Sequence, residues 1–228
     1  MTWKNSTPES LLPGRARRWL GALLAALACS SLATVAVAEP AAAKHPAAKE
    51  PAKPHPLPCP AHVPEALNPP PDATLEQGLP ANGVQIYACT GSKKPGEAPS
   101  WTLEAPHALL TSGAQVAAIH FGGPIWQGLD GSQVKGAKLA SADAPNATAV
   151  PWLLLSATSV GAGTFAETTL IQRLETVGGK APATGCDPDH VGAKVLVPYR
   201  ANYFFYRKAA AGERVRQCHS GPAKPGKS

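Results

Sequence analysis

The residues best suited to chemistry lie in one stretch, Ile119 to Gly136, which reads IHFGGPIWQGLDGSQVKG. His120 ends an apolar run and is a candidate general base, a role that requires an orienting partner and a reacting proton within hydrogen-bond reach. Trp126 offers a ring on which a sugar can stack, and Asp130 lies in the turn beside it. No nucleophile motif accompanies His120, so we predict binding at His120, Trp126 and Asp130 rather than catalysis. Trp126, beside glycines and a proline, is expected to be partly exposed.

A second group of candidate ligands, Asp187, Asp189 and His190, lies in the sequence GCDPDHVG. A calcium loop of the EF-hand type needs a Gly and a terminal Glu at fixed offsets, and a closed zinc site needs four ligands. Neither pattern is present, and the cysteines have no C-x-x-C spacing. We therefore interpret this stretch as a turn, since Asp and Pro both favour turns, and we expect neither a metal nor a cofactor.

The beginning of the chain has the pattern of a secretory signal peptide, residues 1–38. Basic residues precede an apolar run from Trp19 to Val37, and Ala36-Val37-Ala38 is an A-x-A cleavage pattern. Small polar residues dilute the run, whereas a membrane-spanning helix needs about twenty mainly apolar residues. We predict an exported protein, periplasmic or extracellular, without a membrane span after cleavage.

Four cysteines remain after residue 38, an even number that in an oxidising compartment predicts disulfides. Four cysteines allow three pairings, and the sequence alone does not choose among them. We favour Cys89 with Cys186 inside the domain and Cys59 with Cys218 at its margins, because the second pair would tie both ends of the folded unit together.

Two flanking segments are expected to be flexible. Residues 39–58 are nearly all Ala, Pro and Lys, a composition that cannot bury a core, and residues 209–228 form a basic tail. The formal net charge of +6 falls to +3 when the first 38 residues are set aside. We expect no nucleic-acid partner for a protein exported from the cytoplasm.

The intervening residues 59–208 have the pattern of one all-β domain. Short apolar runs are separated by Gly, Pro, Asn and Asp, without a long helical period. Val84 and Ile86 alternate with Gln85 and Tyr87, as in a half-buried strand. Asp130-Gly131 predicts a hairpin turn, whose two central positions require positive φ. The sequence thus predicts a compact β-sandwich or barrel of about eight short strands.

Six motifs in order resemble domain-of-unknown-function family 3455, a group of exported bacterial and fungal proteins. They are GVQIYAC from Gly83, Trp101, HFGGPIWQGLDGSQVKG, VPWLLL from Val150, IQRLETVGGKAPATGC from Ile171, and VPYRANYFFY from Val197. The resemblance covers roughly Pro64 to Tyr206 and implies an exported, mostly β domain. Ile125 and Gln127 stand where that family's pattern has Thr and Glu.

Three functions fit these observations. A fourth function, suggested by the name malate dehydrogenase that some members of the family carry, is not supported, because the G-x-G-x-x-G turn of a nicotinamide site is missing.

We favour a non-catalytic domain that binds an envelope polysaccharide or protein around His120 and Trp126. The alternatives are a hydrolase or isomerase that uses His120 with a carboxylate partner, and a periplasmic inhibitor-like barrel.

Overall fold

The computed structural model describes residues 57–60, 62–92 and 94–218. Eight antiparallel strands form one closed barrel in which each strand pairs with its neighbours in the chain and the last strand pairs with the first. The strands are β1 (Ala73–Thr90), β2 (Ser100–Ser112), β3 (Gln115–Phe121), β4 (Ile125–Gly128), β5 (Gln133–Ala142), β6 (Trp152–Val160), β7 (Leu170–Gly178) and β8 (Lys194–Lys208). Two 3-10 helices, Glu65–Leu67 and Pro188–His190, complete the regular structure.

The predicted all-β class is confirmed, and the architecture is the barrel rather than the sandwich. Three strands are longer than expected: β1 has 18 residues, β8 has 15 and β2 has 13. The pairing of β1 with β8 extends from Ala73 opposite Lys208 to Ala88 opposite Lys194. This long ladder closes the sheet on itself, and closure leaves no unpaired sheet edge between the first and last strands.

The aromatic run at the end of β8 is buried on both sides of the sheet. Tyr203 and Phe205 point into the barrel, where they belong to one cluster with Trp126 and Phe165. Phe204 and Tyr206 belong to a second cluster with Leu67 and Trp152. Successive side chains of a strand point to opposite faces, so the second cluster lies on the outer face of the barrel wall.

The chain's two flanking segments cover that outer face. A disulfide joins Cys59 to Cys218, and a second joins Cys89 to Cys186. These are the pairs that the sequence analysis favoured. The side chain of Gln172 donates hydrogen bonds to the carbonyl oxygens of Leu67 and Cys218, at 2.6 and 3.2 Å. The buried amide thus links both segments to β7.

The boundary that we predicted at residue 208 is too early. The main chain of Arg216 accepts a hydrogen bond from the Leu75 amide at 2.7 Å and donates one to the Thr74 hydroxyl at 3.2 Å. Cys218 is fully buried. Residues 209–218 therefore lie against β1, because the Cys59–Cys218 disulfide fixes their far end. The predicted signal peptide, most of the spacer and residues 219–228 lie outside the described residues.

Asp130-Gly131 does join two paired strands, as predicted, but the turn type differs. Trp126 in β4 pairs with Val134 in β5, and the Gly131 amide donates to the Gly128 carbonyl at 3.0 Å. Gly131 has a φ of 86°, whereas Asp130 has negative φ. Leu129 and Asp130 therefore occupy the two central positions of the turn. The expected hairpin turn would require positive φ at both central positions, whereas here Gly131, which follows them, has the positive φ. In the described ranges, no helix has the length and apolar character needed to cross a membrane.

Candidate functional site

A cavity of about 450 Å³ lies inside the barrel and is lined by residues from all eight strands. Its apolar wall includes Leu153 and Leu155 from β6 and Pro106 from β2, and its rim carries the exposed Leu103. Polar and aromatic groups share the lining. They are Gln85, Glu104, His120, Trp126, Lys138, Arg173 and Tyr203. The cavity therefore brings together His120 and Trp126, two of the three residues that the sequence analysis selected for binding.

His120 lies inside the barrel with 2% of its surface exposed. Its Nδ1 is 2.9 Å from the carbonyl oxygen of Ile125. A carbonyl only accepts hydrogen bonds, so Nδ1 carries the proton and Nε2 is left as an acceptor. Burial and, to a smaller extent, the nearby Arg173 cation lower the pKa of His120 to about 3, although the hydrogen bond to Ile125 acts in the opposite direction. The imidazole is therefore neutral at physiological pH.

Trp126 is only 1% exposed, so the expectation of a partly exposed ring is wrong. Trp126 lies in β4, which is part of the barrel wall, and its side chain points into the barrel. Gly136 on the neighbouring strand leaves the space for the indole, because a Cβ there would lie 3.0 Å from the ring. The indole Nε1 is buried without a hydrogen-bond partner among the described residues.

Arg173 supplies a positive charge beside the cavity. Its Nε and Nη2 donate to the carbonyl oxygen of Pro151 at 3.1 and 2.8 Å. Within the described part of the chain, no carboxylate forms an ion pair with Arg173. The arginine charge acts to lower the pKa of Tyr203, although burial is the larger effect and raises it. Arg173 is therefore a cation close to the buried Tyr203 in the cavity lining.

Gln85 adds a second donor to the lining. Its side chain is 1% exposed, and its Nε2 is buried without a partner among the described residues. Gln85 and Tyr87 face the inside of the barrel, whereas their apolar neighbours Val84 and Ile86 are only partly buried. The alternation correctly divides Val84 to Tyr87 between two faces, but in this stretch of β1 Gln85 points inward and the apolar Val84 and Ile86 do not.

Asp130, the third predicted binding residue, does not line the cavity. One carboxylate oxygen accepts from the backbone amide and hydroxyl of Ser132, at 3.0 and 2.6 Å, and the other accepts from the same groups of Thr164, at 2.6 and 2.7 Å. These four donors hold the pKa of Asp130 far below its usual range. Its carboxylate fixes the β4–β5 turn to the loop that carries the buried Phe165.

Asp187 and His190 form an exposed turn that also lies outside the cavity lining. Asp187 accepts from the Asp189 amide at 3.0 Å and lies 2.7 Å from Nδ1 of His190. Across the described ranges, no group of three or more His, Cys, Asp or Glu side chains is arranged to hold a metal ion. The turn follows Cys186, as predicted.

Sequence reasoning missed Arg173 and Gln85 as cavity residues. Arg173 and Glu175 alternate within β7 and resemble a cross-strand charge pair, which is how such residues are ordinarily interpreted. A bulge between Leu174 and Val177 places Glu175 at a φ of 50°, where it accepts from Asn202 instead. A charged residue in the middle of an otherwise apolar strand is the signal that would have indicated Arg173.

The family model described as "Protein of unknown function (DUF3455)" matches residues 111–207. The matched part extends from the end of β2 through β8 and includes His120, Trp126, Arg173 and Tyr203. No curated protein and no solved structure matches the chain. Over residues 111–207, the chain is therefore similar to the DUF3455 family.

Proposed function

We propose that this protein is a non-catalytic binding barrel, which holds a small and largely apolar molecule in the cavity around His120 and Trp126. The observation that carries the proposal is the cavity itself. Its volume of about 450 Å³ is in the range of small-molecule sites. Barrels of eight strands are just wide enough to enclose one small ligand.

The lining supports binding rather than catalysis. A catalytic His ordinarily has a carboxylate or an equivalent group to orient it. Here the partner is the Ile125 carbonyl, and no described carboxylate contributes to the pKa of His120. Glu104, the acid among the lining residues, lies at the rim, where its carboxylate accepts a hydrogen bond from the Lys194 ammonium group at 2.7 Å. This arrangement gives less support to a hydrolase or isomerase.

The size of the cavity also favours a small molecule over the polysaccharide or protein partner expected from the sequence. His120 and Trp126 are both buried, so neither side chain is accessible to a polymer at the protein surface. A small aromatic compound fits the enclosed space better. The inhibitor-like barrel would require an exposed contact surface, which these two residues do not supply.

We place the protein outside the cytoplasm. Its two disulfides are consistent with an oxidising compartment, and the signal-peptide pattern at residues 1–38 supports the same location. A ligand that meets the barrel there is taken up from the envelope or the medium.

The test uses N-phenyl-1-naphthylamine, a neutral apolar dye whose fluorescence rises in apolar surroundings. We expect saturable binding of one dye per barrel. Ala105→Phe fills the cavity lining and should abolish binding. Ala114→Phe is the matched control, because Ala114 is exposed in the β2–β3 turn and is not part of the lining. Dye binding that is absent, or that is equally strong in Ala105→Phe, would overturn the proposal.

A further inference from the structure

We infer that the ligand of this cavity carries a carboxylate on an apolar body and that Arg173 binds the carboxylate. The inference rests on the proposed function and adds the chemical class of the ligand. Three features of the lining support it: a half-buried cation that has no ion-pair partner among the described residues, buried N–H groups that have no acceptor there, and an uncharged imidazole at His120.

The first feature is the charge of Arg173. Its two hydrogen bonds to the Pro151 carbonyl hold the guanidinium in place without neutralising it. The acid at the rim, Glu104, is paired with Lys194 at 2.7 Å. Arg173 is half-buried, and withdrawing a charge from water is costly unless an opposite charge accompanies it. An anionic ligand would supply that charge, and a carboxylate matches the fork of an arginine side chain.

The second feature is the surplus of donors. Gln85 and Trp126 are each 1% exposed, and both have a buried N–H group without a partner among the described residues. A buried donor without an acceptor costs about 1 to 3 kcal/mol. A ligand rich in acceptor oxygens would recover part of that cost. A purely hydrocarbon ligand would leave both donors without partners.

The third feature is the neutral state of His120. Because its Nδ1 donates to Ile125 and the ring carries no charge, the cations of the lining are Arg173 and Lys138, of which Lys138 is exposed and Arg173 is half-buried. The leucines of β6 and the stacked rings supply an apolar surface for the rest of the ligand. The arrangement thus combines one charged end with an apolar body.

The experiment compares 2-naphthoate with its neutral isostere 2-naphthamide by calorimetric titration of the whole protein at neutral pH. Both compounds have the same ring system and differ in charge. We expect 2-naphthoate to bind at least about tenfold more tightly, since a charge-assisted hydrogen bond is roughly twice as strong as a neutral one. The wild-type comparison requires no variant and stands even if a variant fails to fold.

Variants then assign the preference to one residue. Arg173→Gln should bring the two affinities to within about threefold of each other, whereas Arg173→Lys, which keeps the charge, should retain most of the preference. Arg200→Gln is the matched control, because Arg200 is exposed on β8 and is not part of the lining. Its preference should equal that of the wild type.

The outcomes separate the two proposals. If neither compound binds, the proposed function fails and the inference fails with it. If both bind with equal affinity, the binding barrel stands and the carboxylate class is overturned. If 2-naphthoate is preferred equally in wild type and in Arg173→Gln, the role of Arg173 is overturned.

Discussion

His120 lies flat against Trp126 inside the barrel, with ring centroids 4.2 Å apart and ring planes 4° from parallel. The two residues are paired across β3 and β4, and a short turn through Gly123 joins those strands. Tyr203 meets the edge of both rings, at 5.3 Å from His120 and 5.2 Å from Trp126. This packing holds the imidazole in one orientation and keeps it out of water.

The burial of His120 predicts a pH dependence of stability. The unfolded state takes up a proton near pH 6.5, whereas the folded state resists protonation down to about pH 3. The contribution is therefore fully present above pH 6.5 and is lost as the pH falls toward 3. Between pH 7 and 5, the wild type should lose about 2 kcal/mol relative to His120→Phe. Urea unfolding at several pH values measures this difference, and parallel profiles for the two proteins would contradict it.

The space beside the indole predicts the effect of Gly136→Ala. A Cβ at position 136 would lie 3.0 Å from the Trp126 ring and 3.1 Å from Leu155. Overpacking of this kind ordinarily costs about 1 to 3 kcal/mol. Gly91→Ala is the control, because a Cβ there meets nothing within 4 Å, and it should change the free energy of unfolding by less than about 0.5 kcal/mol. Equal values for the two variants would show that Trp126 does not need this space.

The disulfide between Cys59 and Cys218 predicts where the chain opens first. The double variant Cys59→Ser/Cys218→Ser should lose about 4 to 5 kcal/mol in the chain-entropy model, since the bridge closes 159 residues. It should also release residues 209–218 from β1, so that trypsin cuts after Arg214 and Arg216 while the barrel remains folded. Mass spectrometry identifies the cuts.

The other disulfide provides the control for that experiment. Loss of Cys89–Cys186, which closes 97 residues, should destabilise the barrel without early cleavage at Arg216. The same cleavage sites in both double variants would mean that the first bridge does not hold the terminal segment.

The hydrogen bonds of Asp130 predict a local effect. Asp130→Ala removes the acceptors for Ser132 and Thr164, and thereby frees the loop that precedes Phe165. Hydrogen exchange should become faster at the Thr164 and Phe165 amides and stay unchanged at Phe205 in β8. An exchange rate at Thr164 equal to that of the wild type would show that the loop is held by other contacts.

The fold was more predictable than the site because the two depend on different kinds of information. Turn residues, apolar runs and an even number of cysteines are local patterns, and they indicated an all-β domain with a hairpin at Asp130-Gly131. The burial of Trp126 depends on the pairing of the short β4 with β3 and β5, and the inward direction of Gln85 depends on the register of the long β1, which places apolar residues such as Ile86 on the less buried face. Arg173 became a cavity residue only through contacts of β7 with β6 and β8.

The central claim, a ligand inside the barrel, is tested most directly by the indole N–H signals of isotope-labelled protein titrated with 2-naphthoate. Trp126 lines the cavity, whereas Trp101 donates to Thr184 at 2.9 Å and Trp152 belongs to the outer cluster. We expect the Trp126 signal to shift saturably with added compound while the signals of Trp101 and Trp152 stay in place. Saturable binding that moves Trp152 and leaves Trp126 unchanged would contradict the claim.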